Sequence, residues 1–390
     1  MNSKNRKYLA IGFAVISLAS LLLLAWIPFH IGTVTPPAAA TPTITDLTSD
    51  FNSHINSAAV HASEGFVPAS ASTQTSAPEK EYMLDRDQVV CPEPNAAYFK
   101  QTTSNNDIAL VLSAAEELLD GQDVFWDPAR ERMPDSVIHY YMDETILVLN
   151  WKEIIDRACY TFTEVKIMDP SQFRRYFADD SYESDTVLYA SEMAAYVNAV
   201  AGFSGDFYRR RTQGVVVYHG DLYRVEDRAY ETLYVDMNGD FHFTYSEELG
   251  TIEKGEQYVR DHNINFTLTF GPVIIDNGEK VAPDSYPLGE INDPYARAVV
   301  CQLDSLHYLM VQVTGKSNTT WNAAKRVWEV ADVLHELGGI KMAYVLDGGQ
   351  TATCVINDEV INYVVFGYER LMTDIFYFNT AIPNEEEASS

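Results

Sequence analysis

Between Val137 and Phe378 the chain is a succession of short β-branched and aromatic runs cut by X-Gly pairs. This pattern constrains the fold more than any other feature. GVVVY and LYRV flank His219-Gly220, and TLYVD and FHFTY flank Asn238-Gly239. Glycine supplies the positive φ that two-residue turns need, so both pairs read as tight antiparallel hairpins. VIHYY and TILVLNW flank Asp143-Glu144, FTLTFGPVII runs into Asn277-Gly278, and RAVVCQL and LHYLMVQV flank Asp304-Ser305. Helical spacing is rarer. Ile108, Val111, Leu112, Ala115 and Leu119 recur at it and stop at Asp120-Gly121. Met193, Tyr196, Val197 and Val200 follow a capping candidate, Ser191. A longer helix is predicted from about Trp321 to Leu337, with Ala324, Val327, Trp328, Ala331 and Leu334 on one face, ended by Gly338-Gly339. Strands outnumbering interspersed helices predict an α+β class, as one mixed, strand-rich domain over residues 105–379.

The N-terminus carries the expectation about compartment. Lys4, Arg6 and Lys7 precede an uncharged apolar run from Tyr8 to Phe29. A helix of about 20 apolar residues spans the hydrocarbon core of a bilayer, and the positive flank stays inside. Residues 1–31 are therefore expected to be an uncleaved, single-pass signal anchor in the cell membrane, with a cytoplasmic N-terminus and an extracellular domain. From Gly32 to about Pro78 the chain turns to Thr, Pro, Ala and Ser, too little apolar surface to offset the entropy of ordering. Residues 32–104 are assigned to a tether, and 380–390 to an acidic tail. With 27 Lys+Arg against 56 Asp+Glu the formal net charge is −29, a field that repels phosphate backbones and argues against nucleic acid as a partner.

Several chemistries are excluded by motif. There is no G-x-S-x-G, no H-E-x-x-H, no P-loop and no C-x-x-C pair. Asp236, Asn238, Asp240 and Glu247 sit at calcium-loop spacings, yet Phe241 stands where that loop needs glycine and both flanks are strand-like. Neither a metal nor a cofactor is expected.

Three segments could carry chemistry. VLDGGQTAT (345–353) is a buried strand that delivers Asp347 at its edge, with Gly348 and Gly349 letting backbone N–H groups approach a ligand. GFSGDFYRRR (202–211) sets Asp206 beside Arg209, Arg210 and Arg211. Arg297 lies between Ala296 and Ala298, where a guanidinium needs an anionic partner.

Taken in order, SEMAAYVNAVAGFSGDFY (191–208), GVVVYHGDLYR (214–224), FGPVIIDNGE (270–279), YARAVVCQLDSLHYLMV (295–311), VWEVADVLHELGGIKMAYVLDGGQTAT (327–353) and TDIFYF (373–378) resemble the phosphodiester glycosidase family. That family includes the uncovering enzyme, which removes N-acetylglucosamine from a phosphodiester on lysosomal-enzyme glycans, and bacterial members related to exopolysaccharide metabolism. Asp206, Arg297, Glu329, Asp347, Gly348 and Gly349 agree with the family pattern by position. Ser204 replaces an Asn, Ala298 a Thr, Cys301 a Gly, Gln350 the third loop Gly and Thr351 a Ser, and VTGK (313–316) lacks an acid and an arginine often found there.

The resemblance implies an extracytoplasmic hydrolase that cleaves a glycosyl-1-phosphodiester in envelope or exopolysaccharide glycans. Asp347 with Asp206 or Glu329 would form the acid/base pair. Arg297, helped by Arg210 or Lys316, would neutralise the phosphate, Gly348-Gly349 would hold an oxyanion, and Ser204 and Thr351 would hydrogen-bond the substrate. The departures raise an alternative, a catalytically degenerate protein that binds glycopolymers on the same fold. Outside the cytoplasm the four cysteines could form two bridges. Cys301 and Cys354 fall on strands next to the proposed site and are expected to pair, with Cys91–Cys159 as the second bridge.

Overall fold

A computed structural model describes residues 82–133, 136–206, 208–226, 230–246, 248–315 and 324–382. The expected anchor, residues 32–81 of the tether and residues 383–390 of the tail lie outside the described residues. Among those described, no helix is long and apolar enough to cross a membrane.

All neighbouring strands in the sheets pair antiparallel. The largest sheet has nine strands, ordered Lys100–Thr102, Ile138–Met142, Ile146–Ile155, Ala158–Ile167, His307–Thr314, Arg297–Asp304, Met342–Leu346, Val273–Asp276 and Glu279–Lys280. A five-stranded sheet runs Glu359–Val360, Cys354–Ile356, Ala201–Ser204, Asp374–Phe378 and Phe173–Phe177. Three more strands, Phe241–Thr244, Thr232–Asp236 and Ile264–Leu268, form a small sheet, and Val216–Tyr218 pairs with Asp221–Arg224. The helices are few, so the class is strand-rich α+β.

Period-two alternation sorts the large sheet's side chains between two cores. Leu147, Leu149, Trp151, Val299, Cys301, Leu309 and Val311 pack on one face, with Ile108 and Val111 of helix Asn105–Ala114 and Val330, Ala331 and Leu334 of helix Val327–Leu337. Ile146, Val148, Val300 and Met310 pack on the other, against Phe173, Phe203, Phe376 and Phe378 of the five-stranded sheet and Leu233, Val235 and Phe266 of the three-stranded one. Each large apolar side chain buried this way contributes about 1.5–3 kcal/mol. A one-residue slip would exchange the two sets, so the register is strongly specified.

The predicted hairpins form. His219 (φ 51°) and Gly220 (φ 82°) turn Tyr218 against Asp221. At Asn238-Gly239 the Asp236 carboxylate accepts the Asn238 and Asp240 N–H groups at 2.8 and 2.9 Å, which spends it on a turn. Two helix starts differ from expectation. Helix Ala190–Tyr196 is capped from Tyr189, and Ser191 instead bonds the Glu369 carboxylate. The long helix begins at Val327, because Lys325 bridges Tyr295 as an extended residue and Trp328 stays 44% exposed.

Residues 82–104, expected as the end of the tether, are part of the packed unit. Leu84 and Cys91 are buried against Tyr176, Met193 and Tyr377, and Arg174 donates to the carbonyls of Asp85, Arg86 and Gln88. Tyrosines and these carbonyl contacts supply what the Thr/Pro/Ala stretch lacks. At the other end Thr380 is buried and donates to Asp143 at 2.6 Å, so the fold continues to Ile382.

The expected disulfides are absent: Cys91, Cys159, Cys301 and Cys354 are buried free thiols. Alternation explains the first pair. Cys301 faces the helix-side core, whereas Cys354 sits in the core between the sheets, with its sulfur 3.4 Å from the Thr163 hydroxyl. Cys91 lies among the residues packed on helix Ala190–Tyr196, and Cys159 lies 3.5 Å from the Met133 sulfur. Burial pushes the Cys159 thiol up to about 11 and Cys354 up to about 12, which suppresses the reactive thiolate. Intact mass should be the same with and without reductant, and alkylation of these thiols should require denaturant. Fast labelling of the native protein would contradict this burial.

Candidate functional site

The strand Met342–Leu346 ends in Asp347, followed by a tight loop through Gly348 and Gly349 to Thr351. Gly348 is required by space, since a Cβ there would overlap the Ala296 carbonyl oxygen. Gly349 has φ +66°, the region glycine tolerates best. The loop is closed by its own bonds. The Gly348 N–H donates to Asp347 Oδ1 at 3.0 Å, the Gly349 N–H to the Ala296 carbonyl at 2.8 Å, and the Thr351 hydroxyl to the Gly348 carbonyl at 2.6 Å. Both glycine N–H groups are therefore taken, and the oxyanion role expected of them is not available in this geometry.

Asp206 follows the strand Ala201–Ser204 and is fully engaged. Its Oδ1 accepts the Tyr208 N–H at 2.6 Å, and its Oδ2 accepts the Thr269 N–H at 2.7 Å and lies 3.1 Å from Arg175 Nη2. Arg175 is buried, donates through Nε and Nη2 to Asp374 Oδ2 at 3.0 and 2.8 Å, and reaches the Thr267 carbonyl through Nη1. Burial raises the Asp374 carboxyl above the ordinary range, opposed by Arg175 and reinforced by the charge of Asp206. Gly205 has no room for a side chain, because a Cβ would strike the Asp374 carboxylate, and the Asp206 N–H donates to that carboxylate at 3.2 Å.

Asp206 and Asp347 meet in one cleft, which encloses about 360 Å³ including open solvent. Ser204, Arg210 and Thr351 line it as well, and so does Arg370, which carries no sequence motif. The Ser204 hydroxyl accepts the Thr353 N–H at 3.4 Å. Burial pushes the Asp347 carboxyl up to about 6, while Thr351, Arg211 and Arg370 pull it the other way. Arg211 itself lies over the Phe270 ring at 4.5 Å, and Arg209 turns outward to Asp185. Among the described residues no group of three or more His, Cys, Asp or Glu could hold a metal.

Two expected members lie elsewhere. Arg297 shares strand parity with Val299 and Cys301, so its side chain points to the helix face. Its guanidinium donates to the carbonyls of Lys325 (2.9 Å), Glu290 and Asp293 (both 2.6 Å), and burial lowers it to about 10. It braces the segment that carries Ala296, against which Gly348 packs. Glu329 caps its own helix away from the cleft: its carboxylate accepts the Arg326 N–H at 2.7 Å and lies 3.7 Å from the Arg326 guanidinium. Glu329→Ala should therefore cost stability alone, about 1 kcal/mol in urea unfolding. Lys316 lies outside the described residues.

The Arg175–Asp374 pair was missed from sequence. An arginine pair inside the aromatic run FRRYF is the one available signal, since a cation there must find a partner. The partner lies 199 residues away in sequence.

Residues 197–379 match the family model described as phosphodiester glycosidase. No curated protein matches the chain by sequence. Among solved structures, the chain is similar to the zebrafish N-acetylglucosamine-1-phosphodiester alpha-N-acetylglucosaminidase catalytic domain auto-inhibited by its pro-peptide, with 14% identity and a TM-score of 0.46 over 60% of this chain and 82% of that one. It is also similar to a hypothetical protein from Synechocystis, with 12% identity and a TM-score of 0.43 over 63% of this chain and 64% of that one.

Proposed function

We propose, from the match of residues 197–379 to the phosphodiester glycosidases, that the chain hydrolyses a glycosyl-1-phosphodiester in the cleft at Asp347. One observation carries the reading: the Asp347 carboxyl, which burial pushes up to about 6, lines one cleft with two arginines, Arg210 and Arg370. Guanidinium groups suit phosphate oxygens, so these two take the role expected of Arg297. Water attacks the anomeric carbon, the bond from that carbon to the ester oxygen breaks, and the electron pair leaves on the phosphate. A phosphate monoester has a second pKa of about 6, so an arginine-held one departs without needing a proton. The proton to be moved is then the water's, and ionised Asp347 accepts it as general base. Asp206, saturated by two N–H groups and Arg175, shapes the cleft wall rather than exchanging protons.

The same saturation, together with the occupied Gly348 and Gly349 N–H groups, favours a second reading, a glycopolymer-binding protein without turnover. The experiment that separates them is incubation of the purified protein with N-acetylglucosamine-1-phosphodiesters, alongside Asp347→Asn. Release of sugar by the wild type and its loss in the variant supports hydrolysis, whereas measurable affinity with no product after prolonged incubation supports binding. The proposal includes work outside the cytoplasm on envelope or exopolysaccharide glycans, supported by Lys4, Arg6 and Lys7 ahead of the apolar run.

A further inference from the structure

The loop leading into strand Asp374–Phe378 exposes three large apolar side chains beside the cleft: Phe366 at 56%, Tyr368 at 64% and Leu371 at 43%. The Phe366 and Tyr368 ring centroids are 6.4 Å apart, with planes 27° from parallel. The loop is held in place from two sides. Gln350, next to Thr351 of the cleft, donates to the Tyr368 carbonyl at 3.1 Å, and the Ser191 N–H donates to the Glu369 carboxylate at 3.1 Å. Phe366 keeps φ +68°, a region that an aromatic residue rarely adopts, while its ring remains largely at the surface. Arg370 and Leu371 of the same loop line the cleft.

We infer that Phe366 and Tyr368 form a stacking platform for a pyranose ring of the glycan whose phosphodiester occupies the cleft. The flat C–H face of a pyranose packs on an aromatic face, while its hydroxyl edge stays wet. Tyr368 is two residues from Arg370, a backbone reach of at most about 7 Å, so one sugar ring bridges platform and phosphate site. The patch is too small for a stable second copy. Fully exposed aromatic side chains offer about 150–250 Å² each, so two partly exposed ones and a smaller leucine fall short of the roughly 800 Å² per partner of a standard interface. The choice of a sugar as ligand rests on the hydrolase reading.

The test uses phosphate-free probes, so that its failure is separate from failure of that reading. Neutral trisaccharides of glucose, mannose and N-acetylglucosamine are titrated against the full-length protein by saturation-transfer NMR. At least one should bind the wild type, and bind about tenfold more weakly to Phe366→Asn and to Tyr368→Ala, the equivalent of about 1.4 kcal/mol. Asparagine tolerates positive φ, so the first variant removes the ring without new backbone strain. No transfer from any trisaccharide, or transfer unchanged in both variants, overturns the inference. So does concentration-dependent self-association of the wild type that either variant abolishes. Turnover of sugar phosphodiesters by the same wild-type sample reports on the hydrolase reading independently.

Discussion

Replacing Arg175 with methionine should lower the free energy of unfolding by about 3–5 kcal/mol, the usual cost of stripping one partner from a buried ion pair. The guanidinium is buried between Asp206 and Asp374, 3.1 Å from one carboxylate and 2.8 Å from the other. Without it, two carboxylates share an apolar site, and the Asp374 carboxyl, already raised by burial, must rise further. A raised carboxyl binds its proton more tightly in the folded state than in the unfolded one, so stability is gained as pH falls through its folded value. The deficit of the variant should therefore be larger at pH 8 than at pH 5 in urea titrations. Asp374→Asn is the companion: it removes one negative charge, keeps the Arg175–Asp206 pair, and should cost clearly less. A loss under 1 kcal/mol for Arg175→Met, or one independent of pH, would mean that the pair does not hold the cleft wall.

Asp347→Asn should reduce turnover of a sugar phosphodiester by about 10²–10⁴-fold, the usual worth of a positioned general base. Wild-type kcat/KM should rise with pH through about 6, where the carboxyl ionises, and the variant should lose that limb. The stability effect has the opposite pH sense. Burial makes the neutral acid the easier form to fold, so wild-type stability gains as pH falls from about 6 towards the ordinary carboxylate value of 3.8. Asparagine has no such linkage, so the wild type should compare best with the variant near pH 4 and worst near pH 7. Unchanged turnover, or an unchanged pH limb in the variant, removes Asp347 from the chemistry. Normal turnover would also dispose of the binding-only reading.

The local features were legible because they depend on a few neighbouring residues. His219-Gly220 and Asn238-Gly239 turn where they do because glycine accepts a positive φ that the pairing strands demand. Asp347 was legible as a strand-end acid because an apolar strand followed by two glycines leaves a carboxylate at the edge. Arg297 was legible as a buried cation and misleading as to its partner. Its strand was predicted, but the face to which residues 297, 299 and 301 point depends on which layers cover the sheet. The same alternation separates Cys301 from Cys354, which proximity in sequence to one site had suggested as a pair.

The chain's own order of residues determined its hairpins, its strand-rich class, the resemblance over residues 197–379 and the acid at 347. Tertiary structure alone decided which cations stand beside that acid. Arg370 acts on its carboxyl and Arg210 lines the same cleft, whereas Arg297 turns away to the helix face, because a side chain's partner is set by the face it occupies and by strands that meet from distant parts of the chain. Local propensity acts over a few residues, whereas charge pairing in a cleft acts across layers, and no spacing rule links the two.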